Sequence, residues 1–300
     1  MNQNWDDMRY FLALCRTRSF VAAANELRVT HSTVARRISA LEKSLQTRLF
    51  ERSEKGCRLT QAGEALLPYA ERLESTVIGL EEAVAGKDRQ LSGSIRIGTP
   101  DGLGSYFLAP HLSRFQDEHP ALVVELVAVP MYYSLAKREI DISITVMKPT
   151  SGNVVARKLL EYRLGMFASR AYLAGRPPVH TMEDLKGHRV IGYIDDLLFD
   201  QELNYMEDFF PGLTASFRSS TMVAQMNALL GNAGIGVVPY FMAHTDDSLV
   251  SVLPDHNITR SFWLQVNPDS RQLARVRTTI DFIVAEIEAS RALFLDLPQR

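Results

Sequence analysis

The chain has 300 residues, 46% of them hydrophobic, and a formal net charge of −2 at pH 7. That length suits two or three domains, and the balance is that of a soluble globular protein rather than a disordered or collagen-like one. No apolar run approaches the ~20 residues of a membrane span. The opening segment, Met1 to Asp7, lacks the basic and apolar regions of a signal peptide, so a cytoplasmic location is expected. Cys15 and Cys57 alone cannot build a disulfide framework, and no CxxC is present for metal or redox chemistry.

The most specific stretch runs from residue 19 to 60. Ser19 stands where a helix N-cap belongs, and the alanine-rich run after it favours a helix that a second one can approach closely. Val29 and Thr30 make a short turn of helix-turn-helix length. Val34, Ile38, Leu41 and Leu45 then recur at helical spacing and predict a buried stripe. The opposite face carries Ser32, Thr33, Arg36, Ser39 and Lys43, the hydroxyls and cations that meet base edges and phosphates, with Arg37 and Lys43 expected nearer the DNA backbone. Between positions 28 and 58, Arg28, Arg36, Arg37, Lys43, Arg48, Arg52, Lys55 and Arg58 face only Glu42, Glu51 and Glu54, a local +5. A basic patch on a slightly acidic chain fits a nucleic-acid-binding module attached to something else.

These residues resemble the LysR-type transcriptional regulators. The match begins at Met8-Arg9-Tyr10-Phe11-Leu12-Ala13-Leu14 and continues through Ser19-Phe20 and the alanine-rich helix. It then takes in Leu41-Glu42, Leu49-Phe50-Glu51-Arg52 and Leu59-Thr60-Gln61-Ala62-Gly63-Glu64, and the pattern covers nearly the whole chain. Ala35 stands where the family usually has Ser, His31 where it often has Gln, and Gln46 where a Gly commonly follows the helix. The last departure requires a cap without glycine's easy positive φ. Residues 51–58 fit the wing of a winged helix-turn-helix, with Arg52, Lys55 and Arg58 as phosphate contacts. Cys57, in this basic turn, is a candidate for a lowered thiol pKa. The family's oxidant sensors carry reactive cysteines in the effector half, where this chain has none, so redox sensing is rejected as the main signal.

Leu66, Ala70, Leu73, Val77, Leu80 and Val84 alternate three and four apart, a heptad seam that favours pairing with another helix. The family uses this helix, about Gln61 to Ala85 and bent or locally adjusted at Pro68, as its dimerisation linker. Gly86 to Gly93 reads as a hinge. The expected organisation is a winged helix-turn-helix over 1–60, a linker helix and hinge over 61–91, and an effector domain over 92–300.

Past Gly93 the texture alternates strand and helix: strand 95–98, helix 106–118, strand 122–129, short helix 134–139 and strand 140–146. A second unit follows, with strands 164–168 and 190–193, helix 222–230 and a Gly-Ile-Gly-Val-Val-Pro strand ending at Pro239. Trp263 to Val266 crosses back, and a helix over 271–293 closes the first unit. Such alternation predicts parallel α/β units. The resemblance implies a bilobed α/β fold like that of periplasmic solute-binding proteins, with lobe I at 92–161 and 267–300 and lobe II at 162–266.

Ligands bind beyond the carboxyl ends of parallel strands, so the loops 99–105, 130–133 and 145–149 are the ones to watch. Two helix starts, Thr99-Pro100-Asp101-Gly102 and Ser220-Thr221, offer N–H groups and hydroxyls to an anion, though simple capping would use the same residues. Asp101 would repel an anion unless it turned away to cap its helix. Val129, Thr145 and Ile194, at strand ends, complete the candidate effector set. The expected effector is a small polar or carboxylated metabolite.

Enzymatic alternatives find little support. Gly102-Leu103-Gly104 lacks the rest of a dinucleotide fingerprint, and no phosphate-binding loop or nucleophile elbow is present. The seven histidines never pair at metal-ligand spacing, and Asp195-Asp196 and Asp246-Asp247 read as solvated loop residues. No catalytic residue, cofactor or metal is expected. A solute-binding protein without DNA activity would leave residues 1–90 without purpose. The expected partners are double-stranded DNA, the effector and a second copy in a homodimer or homotetramer, with RNA polymerase a further candidate.

Overall fold

The computed structural model describes residues 5–53, 56–85, 91, 93–129, 140–149, 154–198, 205–268 and 270–298. By packing, the chain divides into two units, Met1–Arg89 and Gln90–Arg300.

In the first unit, α1 (Trp5–Thr17), α2 (Phe20–Leu27) and α3 (His31–Leu45) precede a hairpin of β1 (Phe50–Ser53) and β2 (Gly56–Leu59), then the long α4 (Gln61–Ala85). The three helices close over Phe11, Leu12, Leu14, Ala23, Ala24, Val34, Ile38 and Leu41. Burying each large apolar side chain contributes roughly 1.5–3 kcal/mol. Ala23 and Ala24 keep α2 close to its neighbours, as small side chains must at a tight crossing. The helix starts follow the expected chemistry. The Ser19 hydroxyl accepts the Ala22 N–H at 3.4 Å, and Thr30 caps α3 by accepting the Thr33 N–H at 3.3 Å. At the other end of α3, Gln46 caps with φ 53°, in the left-handed region, without glycine. α4 runs unbroken through Pro68.

The second unit is built on one eight-stranded sheet: β3 (Gly93–Thr99), β4 (Leu122–Ala128), β5 (Ile142–Thr145), β6 (Val155–Ser169), β7 (Val190–Tyr193), β8 (Phe217–Ser219), β9 (Ile235–Pro239) and β10 (Leu249–Val266). Their spatial order is β4-β3-β5-β10-β6-β9-β7-β8. Two parallel triplets, β4-β3-β5 and β9-β7-β8, flank the antiparallel pair β10 and β6. Among the helices on this sheet, α5 (Ala109–Glu118) packs on β4, α6 (Met222–Leu230) on β7, β8 and β9, and α7 (Ala274–Ala289) on β6.

The sheet differs from the sequence expectation in its middle. β6 and β10 are far longer than the strands expected at 164–168 and 263–266, and a lobe boundary at 161/162 falls inside β6. The exposed, charged Arg157-Lys158 hid strand continuity that pairing with Trp263 and Leu264 supplies, while in β10 residues 253–256 bulge out of register between Val252 and Asn257.

The first lobe's helix also starts earlier than 106. Backbone is helical from Asp101, with a π-helical turn at Gly104–Leu108 leading into α5. Gly102 and Gly104 suggested a loop because glycine is a poor helix former, but here they serve close approach. A Cβ at Gly102 would lie 2.8 Å from Met242 Sδ, and one at Gly104 would lie 2.5 Å from Ala128 Cβ. The expected loop at 130–133 and helix at 134–139 lie outside the described residues.

Candidate DNA interface and effector cleft

α3 presents two unlike faces. Val34, Ile38 and Leu41 are buried, while Ser32, Arg36, Ser39 and Lys43 are exposed and Thr33 is half-buried. At its start the Thr30 hydroxyl lies 2.9 Å from both the Ser32 and Thr33 hydroxyls. Thr30, which also accepts the Thr33 N–H, is saturated by these contacts, while the Ser32 and Thr33 hydroxyls keep capacity for further bonds.

Arg37 is placed differently. Its Nη1 donates to Asp7 at 3.1 Å, Nη2 lies 3.9 Å from Asp6, and its guanidinium sits 5.7 Å from the Tyr10 ring centroid. Arg37 thus ties α3 back to α1, where a DNA role alone would leave it open.

Glu42 is a residue whose role the sequence reading left unassigned. Its carboxylate accepts the Leu49 N–H at 2.7 Å and the Phe50 N–H at 3.2 Å, fixing the start of the wing to the end of α3. The far strand is tied to the α1–α2 turn, where the Cys57 N–H donates to Arg18 O at 3.1 Å. Gly56, at φ 120°, must be glycine, since a Cβ there would lie 2.4 Å from Arg18 O. Arg58 is exposed across the ladder from Glu51. The Arg52 side chain and all of Lys55 lie outside the described residues. Cys57 departs from expectation: it is buried, and burial raises its thiol pKa instead of lowering it.

In the second unit the candidate effector residues separate into groups. Thr145 is committed to the fold, its hydroxyl donating to Met147 O at 2.8 Å and accepting from Gln265 Nε2 at 2.7 Å. Thr221 caps α6 by accepting the Ala224 N–H at 3.2 Å. The Ile194 N–H donates to Ser219 O, while Val129 and Ser220 are half-buried. Thr99 is 2% exposed, and its Oγ1 is buried without a hydrogen-bond partner. Gln225 Nε2, on the second turn of α6, is likewise unpartnered.

Asp101 supplies the principal link. It follows Pro100 at the first lobe's helix start, yet its Oδ2 accepts the Val223 N–H of α6 at 3.0 Å, across 122 residues of sequence. It does turn to cap a helix, but the helix is the other lobe's. Burial raises the Asp101 pKa, opposed by backbone N–H groups of Val223, Gly102 and Met222. Tyr193, fully enclosed at the end of β7, has a pKa raised first by burial, then by the Tyr205 hydroxyl and the Asp101 carboxylate.

Comparison with known proteins agrees with this division of labour. The sequence model for a bacterial regulatory helix-turn-helix protein of the lysR family matches residues 5–64, and that for a LysR substrate binding domain matches residues 88–288. The transcriptional regulator CrgA of Neisseria meningitidis is 24% identical over 298 residues, 96% of this chain and 98% of that protein. The Mau operon transcriptional activator of Paracoccus denitrificans is 28% identical, over 89% and 91%. Among solved structures, LysG of Corynebacterium glutamicum with bound effector Arg shares the fold, with a TM-score of 0.63 at 16% identity over 96% and 99%. An exposed polar face on α3 and a separate α/β unit joined across its lobes by Asp101 are thus found in a chain that belongs to the LysR family of transcriptional regulators, with a DNA-binding helix-turn-helix and an effector-binding domain.

Proposed function

We propose that α3 enters the major groove with Ser32, Thr33 and Arg36 reading base edges, and with Ser39, Lys43, Arg58, Arg52 and Lys55 serving phosphates. The carrying observation is the split of α3 into a buried Val34-Ile38-Leu41 face and an exposed Ser32-Arg36-Ser39-Lys43 face. A bidentate Arg36–guanine pair would supply about 1–3 kcal/mol of discrimination. Arg37 supports this surface from behind through Asp7.

The active species is a homodimer or homotetramer. Leu73 and Leu80 are exposed along α4, on the heptad seam, as side chains awaiting a second helix would be. Two reading heads then meet half-sites about one helical turn apart or a multiple of that. The output is occupancy of promoter DNA in the bacterial cytoplasm, with RNA polymerase as a contact, and the chain performs no turnover. No helix among the described residues is long and apolar enough to cross a membrane. A small molecule bound between the lobes shifts the protein between states through unequal affinity for them; LysG, which shares the fold, carries a bound effector, Arg.

Selection of bound duplexes from a random pool, with wild type and Arg36→Ala in parallel, tests this. A dyad-symmetric motif that degenerates in the variant is expected. No enrichment with folded protein, with or without metabolite pools, would remove the reading.

A further inference from the structure

A helix N-terminus inside a cleft is a natural seat for an anion, because its first N–H groups lack intrahelical partners and the dipole favours negative charge. In α6 that seat is taken by the chain itself. Asp101 reaches across from the first lobe, its Oδ2 receives the Val223 N–H at 3.0 Å, and it is 7% exposed. The approach is close on every side. A Cβ on the next residue, Gly102, would lie 2.8 Å from Met242 Sδ and 3.4 Å from Met222 Cγ, so the second lobe packs directly against this helix start. The groups that act on the Asp101 carboxylate are backbone N–H groups. Those on which its charge acts are the hydroxyls of Tyr106 and Tyr193, with Asp246 also acting on Tyr106. Among the described groups that act on the Asp101 carboxylate or feel its charge there are negative charge, hydroxyls and backbone N–H groups, and no cation. Two buried polar atoms remain unpartnered, Thr99 Oγ1 and Gln225 Nε2, and both are uncharged.

We propose that Asp101 is the resident anion of the α6 N-terminus, a tethered carboxylate that latches the two lobes together there and shuts small carboxylates out of that seat. The effector is accordingly a non-anionic polar molecule, met by hydroxyl and amide groups such as Thr99 and Gln225. This rests on the reading of the second unit as a ligand-sensing domain and narrows the class of ligand it senses. Of the two expected effector classes, polar or carboxylated, it favours the polar one.

Chemical rescue tests the latch in the full-length protein. Thermal unfolding of wild type and Asp101→Ala is followed at pH 7 in sodium formate or sodium acetate, against sodium chloride of equal ionic strength. Removing the carboxylate should lower the melting temperature by about 4 °C. Formate or acetate should restore much of that loss saturably in the variant and leave wild type unchanged. Saturable stabilisation of wild type by either carboxylate, or a variant that neither salt restores, would overturn the proposal. Should Asp101→Ala fail to fold, hydrogen exchange at the Val223 amide of wild type decides the matter. As a first-turn N–H it has no intrahelical acceptor, so protection without added ligand supports the latch and exchange at the open-chain rate refutes it. Duplex binding by the same wild-type preparation is scored separately, so that failure of the regulator reading is not mistaken for failure of the latch.

Discussion

Arg37 and Asp7 form an ion pair, Nη1 to Oδ1 at 3.1 Å, that joins the middle of α3 to the start of α1. Arg36, the adjacent residue, is exposed on the outer face of α3. Two arginines in succession thus lie on different sides of one helix, because successive residues are about 100° apart around it.

The pair predicts a separation of phenotypes. Arg37→Ala should cost the first unit roughly 1 kcal/mol after allowance for solvent screening, with DNA affinity falling only as folding does. Arg36→Ala should leave the melting curve unchanged and relax sequence preference. Calorimetry beside duplex titration reads both. An Arg37→Ala protein that melts like wild type yet loses DNA would return Arg37 to the DNA backbone contacts.

Gln46 sits at φ 53° where α3 ends, its N–H directed to Glu42 O and Lys43 O. A side chain in that conformation is strained, whereas glycine is not. Gln46→Gly should therefore stabilise the protein by about 0.5–1 kcal/mol, visible as a higher denaturant midpoint at unchanged slope. A lower midpoint would mean the Gln46 side chain contributes more than its backbone costs.

Asp101 carries a pH signature. Its folded pKa is raised by burial, so the native state binds the proton more tightly than the unfolded chain does. The corresponding stability is fully present below the unfolded pKa and is lost as pH rises through the folded one. Asp101→Asn lacks this dependence. The stability difference between wild type and Asp101→Asn should thus move in favour of wild type as pH falls from 7 toward 4. A difference that moves the other way would show that the N–H groups outweigh burial, and a flat one that they balance it.

Cys57 is buried and its thiol pKa is raised by that burial, so little thiolate exists near neutral pH. Iodoacetamide at pH 8 should leave it unmodified in the native protein and label it on unfolding, as read by peptide mass. Rapid native labelling would reopen redox sensing.

The helix-turn-helix was legible because its information is local. Ser19, the alanines and the Val34-Ile38-Leu41 spacing each act within a few residues, and the structure places them as cap, close crossing and buried stripe. Helix 222–230 and strand 190–193 were equally plain, bounded by turn residues on both sides. The helix from Asp101 was not, because glycines chosen for packing against Met242 and Ala128 look like loop residues until those neighbours are known. Asp101 was foreseen as a cap of its own helix, and it caps the other lobe's instead.

By itself, then, the sequence determined the two-part plan, the exposed polar face of α3 and the family, since periodicity, capping and charge are written along the chain. Only the tertiary structure decided that β6 and β10 run through both lobes, that Arg37 turns inward to Asp7, and that Asp101 lies on Val223. Each of these joins residues distant in sequence. Which acceptor a donor finds there depends on how packed elements bring them within about 3 Å, and no spacing along one strand or helix encodes that.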